Sequence, residues 1–472
     1  MKVEQIYTGC LAQGAYFIQS QGEAAVIDPL REIAPYMDRA ERDGVTIKYI
    51  FETHFHADFV SGHVTLAEKT GGRIVYGPNA QTSFDSHIAA DGEEFRIGDV
   101  TIRVLHTPGH TMESTTYLLL DPEGKEHAIF TGDTLFLGDV GRPDLAQKSA
   151  SLTQEELAGT LFNSLRQKIM PLPDDVTVYP AHGAGSACGK NMMKETVDTL
   201  GNQKRMNYAL RADMTQEEFV QEVTDGLMPP PPYFPLNVKL NKEGGYAGID
   251  QVLSVGLRSL VPDAFEEAAN AASALVLDVR APEDFAAGHV PNSIFIGLDG
   301  NFAPWVGELI VDVQQPILLV APEGREEEAV TRLARVGFDQ TLGFLQGGIS
   351  AWQAAGKALE SVHSISAAQF ESEYAANRDR VFDVRKPGEY QSEHIDGAHH
   401  APLSSLNRHL AEFPDTSPFY LHCAGGYRSM IASSMLKARG IHNMIDVQGG
   451  YGAISETQIP KTDYVCPSTL RG

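Results

Sequence analysis

The chain has 472 residues, which at roughly 150 residues per domain is room for about three domains. Acidic residues outnumber basic ones 62 to 37, a formal charge of −25, which argues against a nucleic-acid backbone or an anionic membrane face as partner. With no signal-like leader, no apolar run of spanning length, and four cysteines (Cys10, Cys188, Cys423, Cys466) too scattered for a disulfide framework or zinc ribbon, a cytoplasmic protein with free thiols is expected.

Short apolar runs that stop at Gly, Asp or His recur through the first half. Strands are expected over 24–28, 47–54, 73–77, 101–110, 115–120, 128–133 and 176–183, with helices over 31–43, 61–70 and 153–168 between them. The polar chemistry sits where the strands stop. THFHAD sets His54, His56 and Asp58 at alternate positions, which a continuing extended backbone would turn to one side. His110 closes TPGH, Asp133 closes FTGD and His182 lies in YPAHG. Imidazole and carboxylate without thiolate make a ligand set for zinc, iron or manganese. Pro229–Pro232 and Pro235, expected to be extended and stiff, mark the edge of a first domain placed at 1–245.

The ordered motif set resembles the metallo-β-lactamase-fold superfamily, which implies an αββα sandwich over the first domain. The sixth position of its HxHxDH motif is Phe59 here, so a His ligand of a second metal is missing, and a two-metal hydrolase is disfavoured. With GDVGRPD at 138–144, the pattern looks like the persulfide dioxygenases of that superfamily. The resemblance implies one Fe(II) per chain held by His54, His110 and Asp133, with positions open for substrate and O2, and His56, Asp58 and His182 orienting or tuning the metal without ligating. The substrate would be a low-molecular-weight thiol persulfide, such as that of glutathione, oxidised to sulfite and thiol. A thioester hydrolase of the glyoxalase II type is the alternative on the same fold. Arg142 is a candidate for holding a substrate carboxylate or, equally, for capping loop carbonyls. Cys188 reads either as a reactive thiol, with Lys190 near enough to lower its pKa and to contact substrate, or as a small core residue.

The second half repeats itself. ALVLDVRAPEDFAAGHVPNS at 274–293 matches RVFDVRKPGEYQSEHIDGAH at 380–399, pairing Asp278 with Asp383, Arg280 with Arg385 and His289 with His394 at a domain-sized interval. Two copies of one small α/β domain are expected, at 258–360 and 361–472. In the last copy FYLHCAGGYRSM reads as a strand end, a glycine loop and a helix beginning near Ser429. Cys423 is the expected nucleophile at that helix N-terminus; Gly425 and Gly426 permit N–H groups to turn inward, and Arg428 adds a cation. The loop and the DVR segment resemble the rhodanese sulfurtransferases, in which a Cys carries sulfane sulfur as a persulfide. In the middle copy, aligning Arg325 with Arg428 puts Val320 at the Cys position, so that domain is expected to be catalytically inactive. The order resembles fused persulfide dioxygenase–sulfurtransferases. That implies interconversion of persulfide, sulfite and thiosulfate and a homo-oligomer, dimer or tetramer, while the acidic charge leaves no nucleic-acid or membrane partner expected.

Overall fold

The computed structural model describes residues 1–147, 151–227 and 229–466. Residues 467–472, the end of the expected third domain, lie outside the described residues. The chain divides into two compact units, Met1–Ile249 with Ala334–Gly337, and Asp250–Leu333 with Phe338–Gly472. Among the described residues no helix is long and apolar enough to cross a membrane.

The first unit is built on two six-stranded sheets. One runs in order β1 (Lys2–Thr8), β2 (Gln13–Ser20), β3 (Glu23–Ile27), β4 (Thr46–Phe51), β5 (Arg73–Tyr76) and β6 (His87–Ile88). The other comprises β7 (Glu94–Ile97), β8 (Val100–His106), β9 (Thr115–Leu120), β10 (Glu126–Gly132), β11 (Thr177–Pro180) and β12 (Asp198–Thr199), again as sequence neighbours. Side-chain alternation along the strands explains the layering. Tyr16, Ile18, Ala25 and Ile27 face Ile102, Val104, Tyr117 and Phe130 in a core between the sheets. Their neighbours Ala15, Phe17, Ala24 and Val26 face outward onto Tyr36 and Leu66 of the helices Ala34–Asp43 and His63–Thr70. On the far side Leu118, Leu120, Ile129 and Val178 pack on Ala158 and Leu161 of the helix Gln154–Ser164. Helices cover both outer faces, so the sandwich is αββα, as expected.

One local expectation fails. Pro235 does not continue an extended segment; it sits in the first turn of the helix Phe234–Glu243, where its missing N–H would have no partner anyway and its fixed φ suits the helix.

The second unit holds two parallel five-stranded sheets of the same topology. The first runs β13 (Ser259–Leu260), β17 (Thr341–Leu345), β16 (Ile317–Val320), β14 (Leu275–Asp278), β15 (Ile294–Phe295). The second runs β18 (Ser364–Ile365), β22 (Met444–Val447), β21 (Phe419–His422), β19 (Val381–Asp383), β20 (His399–His400). The register corrects the alignment of the copies. Asp278 pairs with Val320 as Asp383 pairs with His422. The following N–H groups, of Val279 and Val384, bond the carbonyls of Val320 and His422 in turn. The counterpart of Cys423 is therefore Ala321, not Val320. Arg325 lies four residues beyond Ala321 whereas Arg428 lies five beyond Cys423, so anchoring on the arginines hid a one-residue deletion. Either residue leaves the position without a thiol.

Candidate metal centre and sulfur-transfer loop

Loops at the ends of β4, β8, β10 and β11 bring His54, His110, Asp133 and His182 together, all buried. One ligand atom from each of His54, His110 and Asp133 lies within 4.8 Å of the others. His54 Nε2 stands 3.8 Å and His110 Nε2 3.4 Å from Asp133 Oδ2. His182 Nε2 stands 3.6 Å from the other oxygen, Oδ1, and 3.5 Å from Asp58 Oδ2.

The hydrogen bonds behind the ring explain why these imidazoles suit a metal. Thr53 donates its hydroxyl to Asp28 Oδ2 at 2.9 Å, so the 3.0 Å contact from that hydroxyl to His54 Nδ1 must be one in which the ring N–H donates. His110 Nδ1 donates to the Arg142 carbonyl at 2.8 Å. Both rings thus carry their proton on Nδ1 and turn a bare Nε2 toward Asp133. Burial, with His56, His110 and His182 nearby, holds His54 well below the usual imidazole range, in the neutral form that ligates. Neither carboxylate oxygen of buried Asp133 has a hydrogen-bond partner. A buried, unpartnered carboxylate is costly unless a cation meets it, so the residues fit a bound metal. Thr53→Ala, which breaks the relay behind His54 while leaving the ligands in place, is expected to weaken metal retention roughly 10- to 100-fold in a chelator competition.

The six residues do not all face one way. The backbone bends at Thr53–His54 and again at Ala57–Phe59 instead of continuing as a strand. His56 stands outside the His54, His110 and Asp133 set: its Nε2 lies 3.0 Å from Asp28 Oδ1 and 3.7 Å from Glu52 Oε2, and one of its nitrogens lies within 4.8 Å of ligand atoms of Asp58 and His182. Burial works to lower this imidazole, yet Asp28, Glu52 and Asp58 hold it up at about 9. Phe59, fully buried, stacks on the His56 ring at 4.3 Å and makes an apolar wall where a further ligand would stand.

The expected substrate cations are already matched. Arg142 Nε and Nη2 fork onto Asp144 at 2.6 and 2.7 Å, and it is this residue's carbonyl that serves His110. Lys190 Nζ bonds the carbonyls of Glu222 and Asp225 at 2.6 and 2.8 Å. It does not lower the Cys188 pKa. Burial, then Asp133 and Asp58, push that thiol well up, so as a free group Cys188 is a neutral S–H. Cys188 nonetheless joins Asp133 and His182 within ligand distance of one another.

In the second unit Cys423 follows β21, buried, and its Sγ accepts the Gly426 N–H at 3.1 Å. Gly426 takes φ +102°, a left-handed backbone suited to glycine, and caps the helix Tyr427–Lys437. Gly425 occupies the same turn with open space around it. Arg428 lies within electrostatic reach of Cys423, but its guanidinium forks onto Glu389 at 2.6 and 2.8 Å. Arg385 bonds Asp383 and lies 3.9 Å over the Tyr451 ring, bracing the wall of the loop. In the thiol-free copy Arg325 is paired with Asp299 and Glu328.

Sequence reading missed Asp28, Thr53 and Glu389. The Asp at the close of β3 beside the Thr-His at the close of parallel β4 was the available signal for the first two.

Comparison with known proteins agrees with this architecture. The metallo-beta-lactamase superfamily matches residues 8–182 and the rhodanese-like domain matches 261–355 and 366–457. Human mitochondrial persulfide dioxygenase ETHE1 is 31% identical over 226 residues, 47% of this chain and 80% of that protein. A probable hydroxyacylglutathione hydrolase of Schizosaccharomyces pombe is 32% identical over 163 residues, 34% of this chain and 59% of that protein. The crystal structure of a metallo-beta-lactamase from Staphylococcus aureus superposes at a TM-score of 0.62 with 30% identity, covering 73% of this chain and 99% of that one. The chain therefore belongs to the metallo-beta-lactamase superfamily, in the family of the ETHE1 persulfide dioxygenases, and carries two rhodanese-like domains behind that domain.

Proposed function

We propose that the first unit is an iron(II)- and O2-dependent persulfide dioxygenase, and that Cys423 is the nucleophile of a coupled sulfurtransferase. The balanced overall reaction is RSSH + O2 + H2O giving RSH, sulfite and two protons. The observation that carries the reading is the set His54, His110 and Asp133, with both Nε2 atoms bared toward an unpartnered carboxylate and Phe59 walling off the neighbouring position. Iron(II) held there would supply redox chemistry and open coordination positions for a sulfur substrate and O2. Thr53 and the Arg142 carbonyl fix the ligand tautomers. His182 and Asp58 flank Asp133 and orient it, while Phe59, stacked on His56, closes that side with an apolar ring.

At the second site the Cys423 thiolate attacks the outer sulfur of a persulfide, the S–S bond breaks, and the thiolate RS⁻ leaves. Sulfite then attacks that outer sulfur, releasing thiosulfate and restoring Cys423. The Gly426 N–H steadies the anionic sulfur in both steps. Four free cysteines support a reducing, cytoplasmic setting.

The test is anaerobic purification, metal analysis, and O2 uptake on adding glutathione persulfide. Stoichiometric iron with persulfide-dependent uptake is the expected result. Zinc with no uptake, and with hydrolysis of a glutathione thioester, would replace the reading with the hydrolase chemistry named for the yeast relative.

A further inference from the structure

The thiol-free module has a structural tie to the loop that carries Cys423. Tyr427 is the residue after Gly426, and its hydroxyl donates to the Gly297 carbonyl of the thiol-free module at 2.7 Å. Its ring meets Phe295 edge-on at 5.9 Å and lies flat against Gly300, where an added Cβ would fall 2.4 to 2.8 Å from three ring atoms. Two turns further along the same helix, Ser434 Oγ accepts the Phe295 N–H of β15 at 3.0 Å, capping a donor of an edge strand that pairs, among the described residues, with β14 alone. Ser429 through Lys437 are all buried. A helix buried on all sides takes its position from what encloses it, and β15 forms part of that enclosure.

The consequence lies at the sulfur. The Gly426 N–H that points at Cys423 Sγ lies in the Gly425–Gly426 peptide, which has a glycine on either side and no side chain to fix it; its far end is anchored at the next residue, Tyr427, through the φ +102° turn at Gly426. We propose that Tyr427 is a positioning residue for sulfur transfer: locked against Gly297 and Gly300, it holds the turn that aims the Gly426 N–H at Cys423, which makes the thiol-free module part of the sulfur-transfer site. This inference rests on the reading of Cys423 as the nucleophile.

The experiment uses the full-length, iron-loaded protein and the variants Gly300→Ala, which pushes a methyl into the Tyr427 ring, and Tyr427→Phe, which deletes only the hydroxyl. Two quantities are read. The first is the pH profile of iodoacetamide alkylation at Cys423, followed by peptide mass spectrometry so that Cys10, Cys188 and Cys466 are counted separately. The second is the kcat and KM of sulfur transfer from thiosulfate to cyanide. For Gly300→Ala the alkylation profile is expected to move up by about one pH unit, with kcat down about tenfold and KM nearly constant. Tyr427→Phe moves both in the same direction by less, and persulfide-dependent O2 uptake stays at the parent rate in each. An unmoved alkylation profile in both variants overturns the inference, whether or not kcat falls. If Gly300→Ala does not fold, Tyr427→Phe decides alone. The underlying reading fails separately, if Cys423→Ser measured alongside still transfers sulfur.

Discussion

Cys423→Ser is expected to reduce sulfur transfer from thiosulfate to cyanide by at least about a thousandfold while leaving persulfide-dependent O2 uptake intact. The serine keeps the size of the side chain and can still accept the Gly426 N–H, so the loop has no reason to rearrange. What goes is the polarizable thiolate that attacks sulfane sulfur, for which a hydroxyl is no substitute near neutral pH. Paired assays on one preparation check the result. Loss of both activities together would mean that a single site serves both reactions.

The second large effect is expected from Asp133→Asn. The carboxylate faces two bare imidazole nitrogens with one oxygen and His182 with the other, with the neutral Cys188 thiol close by, and among the described residues no N–H or O–H donor satisfies it. An amide of the same shape brings N–H donors toward those nitrogens and removes the only carboxylate of the proposed triad. Iron content should fall below about a tenth of an atom per chain, and O2 uptake should fall with it. Thermal stability without metal should be unchanged or higher, because a buried charge lacking hydrogen bonds is removed. Metal analysis, O2 uptake and melting of the metal-free protein give the three readings. Full iron occupancy would show that the ligand set lies elsewhere, and Asp58, His182 and Cys188 would be tested next.

The fold was largely legible because hydrophobic periodicity and local motifs encode it. The strand-end positions of His54, His110, Asp133 and His182 could be read without knowing how the strands pair, since each lies one to four residues beyond the end of a strand, although β4 and β8 stop at Phe51 and His106, short of the expected 47–54 and 101–110. The internal repeat announced itself through Asp278/Asp383 and Arg280/Arg385, and each pair makes the same Arg–Asp contact in its copy. What escaped depends on partners distant in sequence. Whether a cation is available to a substrate is decided by Asp144 for Arg142, by the carbonyls of Glu222 and Asp225 for Lys190, and by Glu389 for Arg428. That His56 would not ligate was expected from the resemblance, but its placement against Asp28 and Glu52 depends on a backbone bend that alternate spacing concealed. The true counterpart of Cys423 required strand register, because a deletion inside a loop is invisible when the alignment is anchored beyond it.

The shorter loop sets how far the middle copy stands from a thiolate site. A missing thiol alone is one substitution away from a cysteine. Here Ala321→Cys would return the sulfur to the end of β16 but not the turn that follows, which is one residue too short to reach Arg325 in the arrangement Cys423 has with Arg428. Arg325 is in addition committed to Asp299 and Glu328. Regaining a loop of the length that follows Cys423 would take an insertion as well as the cysteine. No single substitution supplies both, so the middle copy is removed from thiolate chemistry by its backbone as well as by its side chain.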